Sequence, residues 1–297
     1  MIAPRRILLL AHTGREEARE VACEVVHALR RHDIAVRLLA DEAAQLGLTE
    51  PEVEVIGGVG GDGTILRAAE ATHGHGTPLL GVNLGHVGFL AESESDDLDF
   101  TIDAIVTRRY TAEDRLTIDV AVYQDGQQLT STWALNEASV EKAARERMLE
   151  VVVEIDGRPL SRWGCDGVVC ATPTGSTAYN FSAGGPVVWP GVEALLMVPI
   201  SAHALFARPL VVAPTSVLAV EVQANTASAG VLWCDGRRMV ELPPGARIEV
   251  RRGARPVRLA RLHSAPFTDR LVAKFGLPVE GWRGAAQRRR KDNGGQA

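Results

Sequence analysis

The sequence predicts an α/β unit on a mostly parallel sheet, followed by an antiparallel β domain and a short C-terminal helix. Three observations predict it. Apolar strand-like runs alternate with helix-like segments through the first third of the chain. Near residue 111 the apolar period changes to two, with Leu116, Ile118, Val120 and Val122 on one face. Three Asp-Gly pairs, at 125–126, 156–157 and 235–236, then stand between apolar runs, a strong hairpin signal.

In chain order, RILLLA (6–11) is the first strand. Arginines precede it as in a signal peptide, but the run Ile7 to Ala11 is shorter than an h-region of about 7–15 residues. A helix follows: Thr13 and Glu16 fit a capping box, and Ala18, Val21, Ala22, Val25 and Leu29 recur on one helical face. AVRLLA (35–40) is a second strand. VEVIGGVGGDG (53–63) is a third strand entering a glycine loop, TILRAAEAT (64–72) a helix, and TPLLGVN (77–83) a fourth strand. LEVVVEIDGRPLS, GVLWCDGRRMVEL, RIEVRR and VRLARL supply the later strands. TDRLVAKFGL (268–277) reads as helix, and the polar, basic end as a disordered tail. The divisions expected are 1–112, 113–266, 267–284 and a tail over 285–297.

The chain has 297 residues, 46% hydrophobic and 23% charged, enough to bury a core without disulfide or metal staples. A net charge of −5 argues against a nucleic-acid face. No apolar stretch approaches the length of a membrane span. Cys23, Cys165, Cys170 and Cys234 form no C-x-x-C pair and have no histidine at zinc spacing; they read as reduced, buried cysteines of a cytoplasmic protein.

GGVGGDGTILRAAE (57–70) holds five glycines in seven positions, then a helix. It matches G-x-G-x-x-G, but about 20 residues past Gly63 stands Asn83, not the acidic residue of a Rossmann site. The G-K-[ST] ending of a phosphate-binding P-loop is missing too. Glycines that let backbone amides approach a ligand, ahead of a helix start at Thr64, favour an anion. Asp62 then makes sense as a proton acceptor beside a phosphate, or as a ligand to a cation the phosphate brings. Arg67 adds a cation. The competing reading is a glycine-rich turn with Asp62 capping the helix. His73 and His75 suggest a metal site only weakly, lacking acidic or thiol partners.

Two further clusters are polar where the pattern predicts otherwise. CDGVVCATPTGSTAYNFSAGG (165–185) carries Thr172, Thr174, Ser176, Thr177, Tyr179, Asn180 and Ser182, suited to sugar hydroxyls and an adenine edge, or a plain Ser/Thr-rich loop. In LNEASV, Asn136 and Glu137 end a strand as a donor–acceptor pair that suits vicinal ribose hydroxyls, or begin a loop.

Together these residues resemble the NAD kinases. GGDGT at 60–64, LGHVGFL at 84–90, NE at 136–137 and CDGVVCATPTGSTAYNFSAGGPVVWP at 165–190 stand in that family's order, with PISAHALFARPLVV at 199–212 a further similar segment. GGDGT is shared with diacylglycerol and sphingosine kinases; the long second motif with its upstream NE is far more specific. The resemblance implies a β-sandwich second domain, a last helix returning to the first, and a homodimer or homotetramer. It implies transfer of the γ-phosphoryl of ATP, or possibly polyphosphate, to the 2′-hydroxyl of the adenosine ribose of NAD, with Mg²⁺ or another divalent metal accompanying ATP.

Carried over by position, the resemblance makes Asp62 the residue that activates the hydroxyl. Gly60, Gly61, Gly63 and Arg67 contact phosphates or dinucleotide, and Asn136 and Glu137 grip the ribose. Asp166 belongs to the nicotinamide end, Phe89 to the adenine, and Thr177, Ala178, Tyr179, Asn180, Phe181 and Ser182 line the dinucleotide site. Arg147 falls where a basic contact is common, and His203 is left without a role. Gly57 and Gly58 depart from the family's continuous apolar strand and put the regularity of that strand in question. A lipid kinase of the same superfamily and a non-catalytic NAD-binding regulator are the alternatives; neither a nucleic acid nor a membrane is expected as a partner.

Overall fold

The structure is a computed structural model that describes residues 5–12, 14, 16–40, 55–83, 88–91, 93–94, 98–224, 229–262 and 266–279. The Thr13 cap, residues 84–87 of LGHVGFL and the tail over 285–297 lie outside the described residues.

The first sheet runs in the order Ala35–Ala40, Arg6–Ala11, Val55–Val59, Leu79–Asn83, Val257–Arg261, Thr111–Arg115, with Ser93–Glu94 also pairing Leu79–Asn83. All its pairings are parallel except that of Val257–Arg261 with Thr111–Arg115. Alternate residues of the first strand enter two cores. Ile7 and Leu9 pack with helix α1 (Glu16–Arg30) through Ala18, Ala22, Val25 and Leu29. Leu8 and Leu10 pack with helix α2 (Asp62–Thr72) through Ile65, Ala68 and Ala69. A strand covered on both faces is apolar throughout, which is why RILLLA shows no alternation. Helix α3 (Leu98–Val106) joins the α1 face through Leu98, Ile102 and Ile105. The sequence reading placed no element there, although that i, i+4, i+7 spacing is a helical signal.

The second unit is a sandwich of two six-stranded antiparallel sheets. Val120, Val151 and Trp163 from one sheet share a core with Val140, Val168 and Leu232 from the other. The Asp-Gly pairs make the predicted turns: Gln124 pairs Gln127 around Asp125-Gly126, and Ile155 pairs Arg158 around Asp156-Gly157, with both turn residues at positive φ in each case. The third loop is one residue longer, Cys234 pairing Arg238.

Val257–Arg261 falls inside the 113–266 span expected for the second unit, yet it pairs in the first sheet. A short apolar strand such as VRLAR does not itself state which sheet it joins; Val257, Leu259 and Ala260 are buried in the two cores of the first unit. The last helix, Phe267–Phe275, returns to the first unit: Arg270 Nη1 donates to the carbonyls of Phe89 (3.3 Å) and Ala91 (2.6 Å). Three cysteines are buried as expected, their thiols pushed up to about 12 with burial the main cause. Cys23 corrects the fourth: it is exposed, on the solvent side of α1. Among the described residues no helix is long and apolar enough to cross a membrane.

The strand Val55–Val59 is regular despite Gly57 and Gly58, each paired on both sides. These two glycines belong to the sheet, not to the ligand loop. A Cβ on Gly58 would meet Ile65 Cα at 3.5 Å and Ala68 Cβ at 3.6 Å, ordinary contact with α2. Glycine inside a strand costs about 0.5–1 kcal/mol relative to alanine. We therefore expect Gly58→Ala to raise stability by about 0.5–1 kcal/mol in urea unfolding; a lowered midpoint would show that α2 tolerates no added methyl group.

Candidate active site

The glycine turn is short. Val55–Val59 ends, Gly60 and Gly61 follow, and α2 begins at Asp62, two residues before the expected Thr64. Gly60 adopts φ +149°, and a Cβ there would stand 2.6 Å from Thr64 Oγ1. Its amide donates to Val82 O at 2.9 Å. Among the described residues, no atom beyond the local backbone lies within 4 Å of where a Cβ would project from Gly61 or Gly63. Gly61 takes the cap position without any side-chain cap bond, which disposes of Asp62 as a helix cap. Asp62 instead sits in the first turn, where the helix dipole favours a carboxylate.

The Asp62 carboxylate is held by the segment 88–90. Phe89 N donates to Oδ2 and Leu90 N to Oδ1, both at 3.4 Å. A Cβ on Gly88 would approach Oδ1 to 2.5 Å, so glycine is required for this fit. Bonds of this length orient the carboxylate while leaving acceptor capacity for a substrate hydroxyl. Arg67 is half-buried on α2, about 140° around the helix from Asp62 by the helical period.

Asn136 and Glu137 form a buried corner at the start of the strand Glu137–Lys142, each 7% exposed. A residue the sequence reading passed over builds this corner. Asp235, at φ +53° on the third hairpin, accepts from Leu135 N (3.0 Å), Asn136 N (2.7 Å) and Glu137 N (3.4 Å). Burial, and then the Asp235 charge, push the Glu137 carboxyl up to about 8 against the opposing Tyr179 amide. Its Oε2 is buried and has no hydrogen-bond partner among the described residues. Such an atom awaits a partner, since buried polar groups are almost always bonded.

The hydroxyl-rich segment closes over this corner. Thr172 donates from N to Asn136 O (2.9 Å) and from Oγ1 to Leu135 O (2.6 Å). A Cβ on Gly175 would fall 2.0 Å from Asn136 O, so only glycine lets the turn Thr174–Thr177 lie there. Ser176 Oγ bonds both Val188 O and Val188 N. Asn180 is fully buried, with Nδ2 donating to Ser176 O (3.2 Å) and Pro186 O (3.1 Å), while its Oδ1, like Glu137 Oε2, is buried with no hydrogen-bond partner among the described residues. The open face belongs to Tyr179, Phe181 and Ser182, with Thr177 and Ala178 half-buried beside them.

Asp166 forms an ion pair with Lys142 Nζ at 2.6 Å. Arg147 is exposed on the turn after the strand Glu137–Lys142, and His203 is exposed with its amide on Gly164 O (2.8 Å). Phe89 packs against Phe267 and Phe275 at 5.8 and 6.0 Å between ring centroids, and Phe275 also meets Phe181 at 4.7 Å. The last helix therefore touches both halves of the site.

A chain of charges connects those halves. Glu70 on α2 pairs with Arg237 (Nε, 3.1 Å) and with Arg238. Arg238 Nη2 reaches Asp235 Oδ2 and Trp133 O, both at 2.8 Å, and its guanidinium lies 4.7 Å from the Trp133 ring. His73 stacks on the Trp133 ring, with centroids 3.8 Å apart. Among the described residues no group of three metal-ligating side chains exists. The helix that carries Asp62 at its start is thus tied near its end to the hairpin that builds the Asn136–Glu137 corner. The charged run Asp235-Gly236-Arg237-Arg238 in a hairpin loop was the signal available in the sequence.

A glycine turn presenting a carboxylate at a helix start, joined to a buried Asn–Glu corner on a β-sandwich, has the chemistry of a site for a phosphorylated sugar ligand. Comparison with known proteins gives the particular family. Residues 45–110 match the ATP-NAD kinase N-terminal domain and residues 135–262 the ATP-NAD kinase C-terminal domain. The chain is 63% identical to NAD kinase 2 of Streptomyces avermitilis, over 95% of this chain and 97% of that one. It is 61% identical to the NAD kinase of Thermobifida fusca, over 96% and 93%. The fold matches a yeast NADH kinase complexed with NADH, at TM-score 0.82 and 23% identity over 94% of this chain and 90% of that one. It also matches an NAD kinase from Archaeoglobus fulgidus in complex with ATP, at TM-score 0.70 and 25% identity over 91% and 97%. The chain belongs to the NAD kinase family.

The raised Glu137 pKa makes stability depend on pH. The unfolded carboxyl ionises near 4.5 and the folded one at about 8, so the native state holds the extra proton between these values. The contribution is full below the lower value and is lost as pH rises toward the upper one. We expect the wild-type melting temperature to fall more between pH 5 and 8 than that of Glu137→Gln, by calorimetry. Parallel curves would show that Glu137 ionises normally in the fold.

Proposed function

We propose that this chain transfers the γ-phosphoryl group of ATP to the 2′-hydroxyl of the adenosine ribose of NAD, giving NADP, with Asp62 as the proton acceptor. The observation that carries this reading is the Asp62 carboxylate, fixed by the amides of Phe89 and Leu90 beside an open glycine turn. An ordinary carboxylate, with pKa near ~3.9, is too weak a base to strip a sugar hydroxyl outright. It orients the hydroxyl and takes the proton as the new P–O bond forms. The bond from the γ-phosphorus to the bridging oxygen of ATP breaks, and ADP leaves.

Asn136 and Glu137 hold the ribose, the unpartnered Glu137 Oε2 meeting a hydroxyl. Tyr179, Phe181, Ser182 and the neighbouring Thr177 and Ala178 line the dinucleotide, Phe89 stands at the adenine and Asp166 at the nicotinamide end, with Arg147 as an outer contact. Asn180 holds the turn through Nδ2 and offers its unpartnered Oδ1 to the dinucleotide. The Gly60, Gly61 and Gly63 backbone and Arg67 receive phosphate oxygens, consistent with positioning and charge stabilisation as the main catalytic terms in phosphoryl transfer. A Mg²⁺ that arrives on the ATP phosphates would neutralise their charge, and Asp62 is the carboxylate of the turn that would hold it.

Fully exposed Leu205 and half-exposed Phe206 and Val211 support a homodimer or homotetramer, and the reduced buried cysteines a cytoplasmic setting. The polar, hydrogen-bonded corner favours a nucleotide over a lipid, and the retained Asp62 favours catalysis over mere binding. We expect Asp62→Asn to lower kcat by about 10²–10⁴ in an assay that counts NADP with an NADP-specific dehydrogenase, leaving the melting temperature near wild type. Wild-type turnover in this variant would remove Asp62 from the role.

A further inference from the structure

A cavity of about 390 Å³ lies where the end of α2 meets the β-sandwich, and the cleft residues Asp62, Asn136, Glu137 and Asp166 do not line it. Its walls include His73 at the end of α2 and Asp119 on the strand Ile118–Gln124. Ser131, Thr132 and Trp133 come from the strand Gln127–Ala134, and Arg255 from the loop after Arg247–Arg252. Ile118 and Val120 enter the sandwich core, so Asp119 between them points outward, and Trp133 stands opposite it in the sheet.

Two opposite charges line this cavity without meeting. Asp119 Oδ2 accepts from Ala254 N at 3.0 Å, and the carboxylate forms no ion pair among the described residues. Arg251, across the sheet from it, is turned to Glu249 at 2.7 Å. The backbone of Arg255 is pinned, since Thr117 Oγ1 donates to its carbonyl at 2.7 Å and Gly253 N donates to Thr117 O at 2.7 Å. The Arg255 guanidinium makes no hydrogen bond and no ion pair among the described residues. It lies beside Gly74, where a Cβ would stand 2.8 Å from Nη1. His73 does not answer Asp119 either. Burial is the main cause that holds its pKa below the ordinary 6.5, with Arg255 and Arg238 adding to it against Asp119, so the ring is neutral at pH 7. Its Nδ1 is buried and has no hydrogen-bond partner among the described residues.

A small ligand that carries both charges satisfies both side chains at once. The carboxylate of an α-amino acid matches the planar fork of Arg255, and its ammonium matches Asp119. A hydroxyl or amide both donates and accepts, so on the ligand it serves either tautomer of the neutral His73 ring and the hydroxyls of Ser131 and Thr132. We infer that this cavity is a second ligand site, which takes a free α-amino acid with a neutral polar side chain. His73 caps the helix that begins at Asp62, and Trp133 O accepts from Arg238, so an occupant touches the network that spaces the two halves of the cleft.

The test titrates L-serine, L-asparagine and L-glutamine separately into the full chain by calorimetry. Ethanolamine and 3-hydroxypropanoate run alongside, each keeping the hydroxyl of serine with only one of its two charges. At least one of the amino acids is expected to bind with one equivalent, and both one-charge compounds to bind more weakly by about tenfold or more. Arg255→Gln and Asp119→Asn should each weaken amino-acid binding by a similar factor at wild-type melting temperature. Asp119→Asn keeps an oxygen for the Ala254 amide, and Arg255→Gln keeps the carbonyl that Thr117 holds. Binding by none of the three amino acids, equal binding of a one-charge compound, or undiminished affinity in either variant would overturn the inference.

Discussion

Asp235 lies under the whole site. Its carboxylate is 7% exposed, yet it collects three backbone amides and one guanidinium, and those four donors are what make a buried negative charge tolerable there. Three of the donors belong to Leu135, Asn136 and Glu137, so the same bonds fix the corner that we assign to the ribose. The fourth, Arg238, is also paired with Glu70 on the helix of Asp62. One network thereby sets the distance between the proposed base and the proposed ribose grip. For a reaction governed by in-line placement, that distance matters more than any single contact.

Electrostatics then separates two carboxylates that stand side by side. Burial pushes both carboxyls up, but at Asp235 the Leu135 and Asn136 amides and Arg238 oppose it, while Glu137, with Oε2 unpartnered among the described residues and the Asp235 charge beside it, is pushed toward its neutral form. The neighbouring segment is built to leave that oxygen free: Thr172, Ser176 and Asn180 satisfy backbone carbonyls and one another's loop, not Glu137. The polar residues closest in sequence to the ligand motif are therefore scaffold or contact according to which way the turn points them.

Much of this was legible in the sequence. The parallel sheet, the Asp-Gly hairpins and the motif residues Asp62, Asn136 and Glu137 follow from period, turn chemistry and a family resemblance. Less could be read where a residue's partner lies far along the chain. Asp235 looked like an ordinary hairpin aspartate, because its amide partners are about a hundred positions away. Val257–Arg261 looked like one more strand of the second unit, because a five-residue apolar run carries no address. Gly57 and Gly58 put the regularity of their strand in question, whereas pairing on both sides keeps it regular.

The central claim is that the charge network couples Asp62's helix to the ribose corner. A double-mutant cycle on kcat/KM for NAD, with Glu70→Gln, Asp235→Asn and the pair, tests it most directly. The account predicts a coupling energy of about 0.5–3 kcal/mol, the range for residues within one network. Strictly additive effects would contradict it and leave the two halves of the site to be aligned by packing alone.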